Sequence, residues 1–174
     1  MKSIICKIAF LFFGITACAQ APDNRPAIEN PDFDARLTNL LSFTVPLMGV
    51  EELANSEEEI YILDAREQGE YEISHIPDAR YIGYDKFKKK TVKDIPKDAK
   101  VVVYCSVGYR SEKIGEKLKK EGFSDVYNLY GSIFEWVNAG NEVENKDGEK
   151  TNSVHTYNKK WSQWVIEGRA EKVY

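Results

Sequence analysis

The sequence predicts an α/β fold of three layers, with a central parallel sheet of about five strands and helices on both faces. Two observations carry that prediction. Ile60–Leu63 and Val101–Tyr104 are short runs apolar at consecutive positions, as suits strands buried on both faces of a parallel sheet. After such a run the period changes. Ile114 and Leu118 stand four apart among Glu112, Lys113, Glu116, Lys117 and Lys119, which is an amphipathic helix pattern.

The 174 residues leave room for one domain with extensions. Lys2 and Lys7 precede an apolar stretch from Ile8 to Ala17. At about 1.5 Å per residue it is too short to cross a hydrocarbon core of about 30 Å, so residues 1–17 read as a secretory signal peptide. The segment ends Ile15-Thr16-Ala17-Cys18 and resembles a bacterial lipobox, with Cys18 as the lipidated first residue. That reading places an exported protein on a bacterial membrane through its lipid, in the periplasm or at the cell surface. Cleavage without lipidation is the competing reading. Residues 18–42 then form the lipid-bearing tether and a short helix. Pro22, Pro26 and Pro31 punctuate a polar stretch, and Asp32 can cap a helix with Phe33, Leu37, Leu40 and Leu41 on one face.

The domain proper is expected over residues 43–142. Phe43–Pro46 reads as a first strand, with Pro46 at an edge or strand end. Gly49–Asn55 reads as a helix, and Ile60–Leu63 as a central strand with Asp64 and Arg66 at its carboxyl end, where an ion pair would anchor the loop. Glu67–Glu72 suggests a short helix, Ala79–Ile82 a third strand, and Tyr84–Pro96 a solvated connection around Lys88, Lys89 and Lys90. Beyond Val101–Tyr104, a helix is expected from Ser111 to Glu121 with Gly122 as its stop, then a last strand Val126–Leu129 and a last helix Gly131–Ala139. Residues 143–174 carry His155, Tyr157, Trp161, Trp164 and Val165. That aromatic density is too high for a disordered tail, so this extension is expected to pack back on the domain.

The chemistry centres on Cys105, five residues before Arg110. It falls between the carboxyl end of a strand and the amino end of a helix, where free backbone N–H groups and the helix dipole favour an anion. A thiolate there gains over a thiol, so its pKa falls and its reactivity rises. The expected donors are the backbone N–H groups of the loop Ser106, Val107, Gly108, Tyr109, Arg110 and Ser111, with the Arg110 charge beside them. Gly108 permits a tight turn. With Cys6 in the removed peptide and Cys18 lipidated, Cys105 is left as the free thiol.

Cys105-Ser-Val-Gly-Tyr-Arg110-Ser111 resembles the active loop of the rhodanese-like sulfurtransferases. Ile60-Tyr-Ile-Leu-Asp64-Ala-Arg66 is similar to that family's apolar strand ending in Asp-x-Arg. Glu70-Tyr71, then His75-Ile76-Pro77-Asp78-Ala79, is similar to its next motif, and Val126 to Trp136 to the strand, glycine and helix that close the domain. The resemblance implies a rhodanese-like domain in which the Cys105 thiolate takes a sulfane sulfur from thiosulfate or a similar donor. A persulfide then passes sulfur to cyanide or a thiol with ping-pong kinetics. It implies that Arg110 steadies an anionic donor, that Tyr109 sits on the rim, and that His75 is structural. Ser106 stands where many thiosulfate-using members carry arginine, which weakens the case for thiosulfate as natural donor.

Composition narrows the partners. Without Lys2 and Lys7, 22 basic residues face 28 acidic ones, a net charge of about −6 that argues against nucleic acid. One available thiol and two distant histidines make no metal-ligand set, and no cofactor is implied. The partners expected are a small sulfur-containing anion and a thiol acceptor, bound by a monomer. A phosphatase or arsenate reductase is disfavoured because its loop is one residue longer between cysteine and arginine. A non-catalytic binding or redox-sensing module is the other alternative, since accessible low-pKa thiols oxidise readily.

Overall fold

The computed structural model describes residues 21–174; the expected signal peptide and Cys18 lie outside them. Helix α1 (Pro31–Leu40) begins two residues earlier than a cap at Asp32 would place it, because Asn30 caps it. The Asn30 side-chain oxygen accepts the N–H groups of Asp32 at 2.9 Å and Phe33 at 3.2 Å, and Pro31 opens the first turn. Asp32 lies inside that turn, where its charge meets the positive end of the helix.

Strand β1 (Leu47–Met48) is later and shorter than the expected Phe43–Pro46. Phe43 has a φ of 53°, which is not a strand conformation. The N–H groups of Ser42 and Thr44 both donate to the Glu112 carboxylate at 3.0 Å, so they are satisfied without a ladder.

Then follow α2 (Val50–Ala54), β2 (Ile60–Asp64), α3 (Gln68–Ile73), β3 (Arg80–Tyr81), β4 (Lys100–Tyr104), α4 (Tyr109–Lys120), β5 (Asp125–Leu129) and α5 (Ser132–Asn138). The connection before β4 is wet only in part. A 3₁₀ turn at Lys89–Val92 buries Val92, and Ile95 follows it into the core. Helix α4 starts two residues before Ser111, because Gly108 takes a left-handed φ of 111° and ends the loop there.

The five strands form one parallel sheet in the order β1-β5-β4-β2-β3. Strand β4 is central and alternates between two cores. Val102 and Tyr104 face Phe33, Leu37 and Phe134, while Val101 and Val103 face Ile114 and Leu118 of α4. The register pairs Asp64 of β2 with Tyr104 of β4, so both strands end at one level. From there β2 leads to β3 on one side and β4 leads to β5 on the other. Such a switch point opens a crevice at the carboxyl edge, where sheets of this kind bind ligands.

The extension folds against this frame. A hairpin, β6 (Val143–Glu144) with β7 (Lys150–Thr151), meets His75 through reciprocal backbone bonds to Glu144 of 2.8 and 3.0 Å. Strands β8 (Ser153–His155) and β9 (Glu171–Val173) pair in parallel. Val154 and Val165 are buried in the Phe33 core, and the Trp164 ring stacks on Phe33 with centroids 5.5 Å apart. Phe33→Ala is therefore expected to lower the unfolding free energy by about 3–5 kcal/mol and to speed proteolysis within residues 153–174. Urea melts and limited digestion of the two proteins check this.

Candidate active site

Cys105 follows the last residue of β4 and is 1% exposed. Its N–H donates to the Ser132 hydroxyl at 3.2 Å. Its carbonyl accepts the N–H of Ile133, and that of Ser106 accepts the N–H of Phe134, each at 3.3 Å. The amino end of α5 thus holds the first two peptide groups of the loop. At the other end, the Gly108 carbonyl accepts Asn128 Nδ2 at 3.0 Å and lies 3.1 Å from the Ser111 hydroxyl oxygen. Between these anchors the Gly108 N–H points at Cys105 Sγ, 3.1 Å away.

Burial alone pushes the Cys105 thiol up, but the Arg110 charge and hydrogen bonds from Ser111 and Gly108 outweigh it. The thiol ends below its ordinary range, and so favours thiolate. No histidine does this work. The His75 Nδ1 lies 3.0 Å from the Tyr71 carbonyl, and its ring stacks on Tyr71. The His155 Nδ1 accepts the Tyr157 N–H at 3.1 Å, so it holds no proton for Glu70 Oε1, 4.0 Å away. Burial keeps His155 below the usual imidazole range.

Arg110 is gripped by Glu70. Its Nη1 donates to Oε2 at 2.6 Å, and its Nη2 to Oε1 at 2.8 Å. Arg110 Nη2 also donates to the Ser106 hydroxyl at 2.9 Å, which itself donates to Glu70 Oε1 at 3.1 Å. The Glu67 N–H completes the set on Oε2 at 3.0 Å. Burial raises the Glu70 pKa, yet the Arg110 bonds and charge bring it down to about 2. Glu70 is ionised at neutral pH and cancels most of the Arg110 charge felt from outside.

The structure gathers Ser106, Val107, Gly108, Tyr109, Arg110 and Ser111 around Cys105. Tyr109 is 43% exposed on the rim, while Ser111 turns inward, donating to Asn128 Oδ1 at 2.6 Å. Asp64 and Arg66 lie behind this loop. Their fully buried ion pair closes at 2.7 Å, and Arg66 also donates to the Ser74 carbonyl. Arg66 reaches the site through charge, helping to hold Glu70 ionised.

The thiol opens on a cleft of about 470 Å³ lined by Leu40, Glu67, Tyr84, Asp85, Val107, Tyr109, Arg110, Tyr157 and Trp161 beside Cys105 and Ser106. A larger cleft of about 890 Å³, beside Pro26 and Glu135, contains no cysteine and lies away from this loop. Sequence reasoning missed Glu70, Asn128 and Ser132 as parts of the site, and Leu40, Tyr157 and Trp161 as its wall. Glu70 was within reach, because it is the acidic residue of a recognised motif. The others come together only through the fold. Among the described residues, no cluster of histidine, cysteine and carboxylate side chains is arranged to hold a metal ion.

The family model of the Rhodanese-like domain matches residues 49–139. A tRNA uridine(34) hydroxylase of Onion yellows phytoplasma is 40% identical over 88 residues, covering 48% of this chain and 29% of that protein. The chain spans about a third of the length of the curated relatives it matches. The solved BH2092 protein of Bacillus halodurans is 26% identical with a TM-score of 0.55, covering 68% of this chain and 89% of its own. A rhodanese-like domain protein of Staphylococcus aureus is 28% identical with a TM-score of 0.51, covering 58% and 98%.

Two outcomes follow from the electrostatics. Arg110→Gln removes the main charge that lowers the thiol pKa, so the pH midpoint of Cys105 alkylation by iodoacetamide is expected to rise. An unchanged midpoint would assign the depression to the loop amides alone. Glu70 has a folded pKa below its ordinary 4.5, so its contribution is complete above that pH and is lost as pH falls toward 2. The stability gap between the protein and Glu70→Gln, on the order of 2–3 kcal/mol at pH 7, is expected to shrink in urea melts at pH 3.

Proposed function

The chain belongs to the rhodanese-like domain family, and we propose that it is a sulfurtransferase working through a persulfide on Cys105. The observation that carries this reading is a buried thiol of lowered pKa, met by the Gly108 N–H at 3.1 Å, at the floor of a cleft. A thiol so tuned is a nucleophile without a neighbouring base.

In the first half-reaction the Cys105 thiolate attacks the outer sulfur of thiosulfate or a comparable sulfane donor. A new S–S bond forms, the donor's S–S bond breaks, and sulfite leaves with the electron pair. The persulfide keeps one negative charge on its terminal sulfur, near the loop N–H groups and the dipole of α4. In the second half-reaction cyanide attacks that sulfur and leaves as thiocyanate, or a thiol takes it and becomes a persulfide. Either way Cys105 returns as thiolate. Arg110 acts mainly by tuning Cys105, since both its terminal nitrogens are engaged by Glu70 and Ser106.

The curated relatives' name does not transfer with their shared domain. The overlap is about a third of their length, and an acidic net charge of −4 does not favour tRNA as a partner. The Ile15-Thr16-Ala17-Cys18 segment supports export and lipid anchoring through Cys18, with a monomeric enzyme acting at a bacterial membrane on a thiol acceptor.

The test is intact mass of the domain from residue 19 onward, before and after a sulfane donor, beside Cys105→Ser. A gain of about 32 Da that cyanide removes, absent from the variant, is the expected result for a covalent sulfur intermediate. A folded protein with a titratable thiol and no gain from thiosulfate or polysulfide overturns the reading in favour of a binding or oxidant-sensing module.

A further inference from the structure

The region matched by the family model supplies the reactive loop, but three walls of its cleft come from outside residues 49–139. Leu40 is the last residue of α1. Tyr157 and Trp161 follow β8 in the extension. With Tyr84, Tyr109 and Val107 they give the cleft a largely apolar, aromatic lining.

These groups are positioned rather than loose. The Tyr157 ring lies over the Arg110 guanidinium at 5.4 Å, and Trp161 carries Arg36 on its face at 5.3 Å. Tyr157 has a φ of 64°, and its N–H is tied to His155. Two turns of polar backbone would serve a linker equally well; a left-handed tyrosine beside the nucleophile needs a reason.

Charge points the same way. Among the described lining residues, the cation Arg110 is matched by ionised Glu70, and the other charged groups, Glu67 and Asp85, are acidic. Among the described residues that line it, a dianion such as thiosulfate meets no side-chain cation without a carboxylate partner. It also leaves most of a cleft of about 470 Å³ unfilled.

We propose that α1 and the C-terminal extension make Tyr157 and Trp161 specificity-determining residues, and that the natural sulfur donor is an organic sulfane compound with an apolar body. This deepens the sulfurtransferase reading and rests on it. The step keeps its balance. Cys105 thiolate attacks the outer sulfur of R–SO₂–S⁻ or R–S–S⁻, an S–S bond forms to Cys105, and the R-bearing fragment departs as sulfinate or thiolate with the electron pair.

The experiment compares two donors of equal charge and the same reacting group, benzenethiosulfonate and methanethiosulfonate, on the full exported chain. Rates of sulfur loading on Cys105 are followed by mass and divided by each donor's rate with free cysteine. The protein is expected to prefer the aryl donor by about tenfold or more, the scale of one buried apolar group. Tyr157→Ala and Trp161→Ala are expected to shrink that preference toward one, and Tyr157→Phe to keep it. Tyr157 is 54% exposed, so its removal leaves the core intact should Trp161→Ala fail to fold. No preference in the protein, or one that survives in Tyr157→Ala, overturns the proposal. Loading by neither donor nor by polysulfide overturns the sulfurtransferase reading instead.

Discussion

Glu70 keeps a full negative charge beneath the protein surface, accepting from both arms of Arg110, from the Ser106 hydroxyl and from the Glu67 N–H. Its side chain is 5% exposed and that of Arg110 14%. Removing one partner from such a pair strands the other's charge below the surface. The pair also joins the two halves of the crevice, because Glu70 belongs to α3 after β2 and Arg110 to α4 after β4. The shape of the loop, the pKa of Cys105 and the charge of the cleft all depend on it.

Around that pair the loop is satisfied group by group. Helix α5 takes its first carbonyls, Ser132 its first N–H, and Asn128 its last carbonyl. The Gly108 N–H is left to face the thiol sulfur. A loop held this way stabilises charge on sulfur without rearranging. Ser132 at a φ of 54° shows where backbone strain is accepted to keep α5 pointed at the loop, while Gly131 takes its φ of 74° without strain.

The flanks change what this loop can meet. The Phe33–Trp164 stack and the burial of Val154 and Val165 bind the extension to α1 and the sheet, so Tyr157 and Trp161 stand over Cys105. Packing far from the thiol thereby shapes the wall beside it.

The alternation of apolar runs with helical periods, together with Cys105, Gly108 and Arg110 in one short stretch, was enough to predict the parallel sheet and to put the Cys105 loop at the end of a strand. Those signals are local, since strand burial, helix period and turn chemistry are written within a few residues. Local rules failed where distant donors or acceptors intervened. Glu112 captured the Ser42 and Thr44 amides and displaced β1, and Asn30 outranked Asp32 as cap. Only the tertiary structure decided that Arg110 is neutralised by Glu70, 40 residues away, and that Tyr157 stacks upon it. Pairings over such separations are set by the register of β2 on β4 and by how the extension packs, and neither is written in any short stretch of the chain.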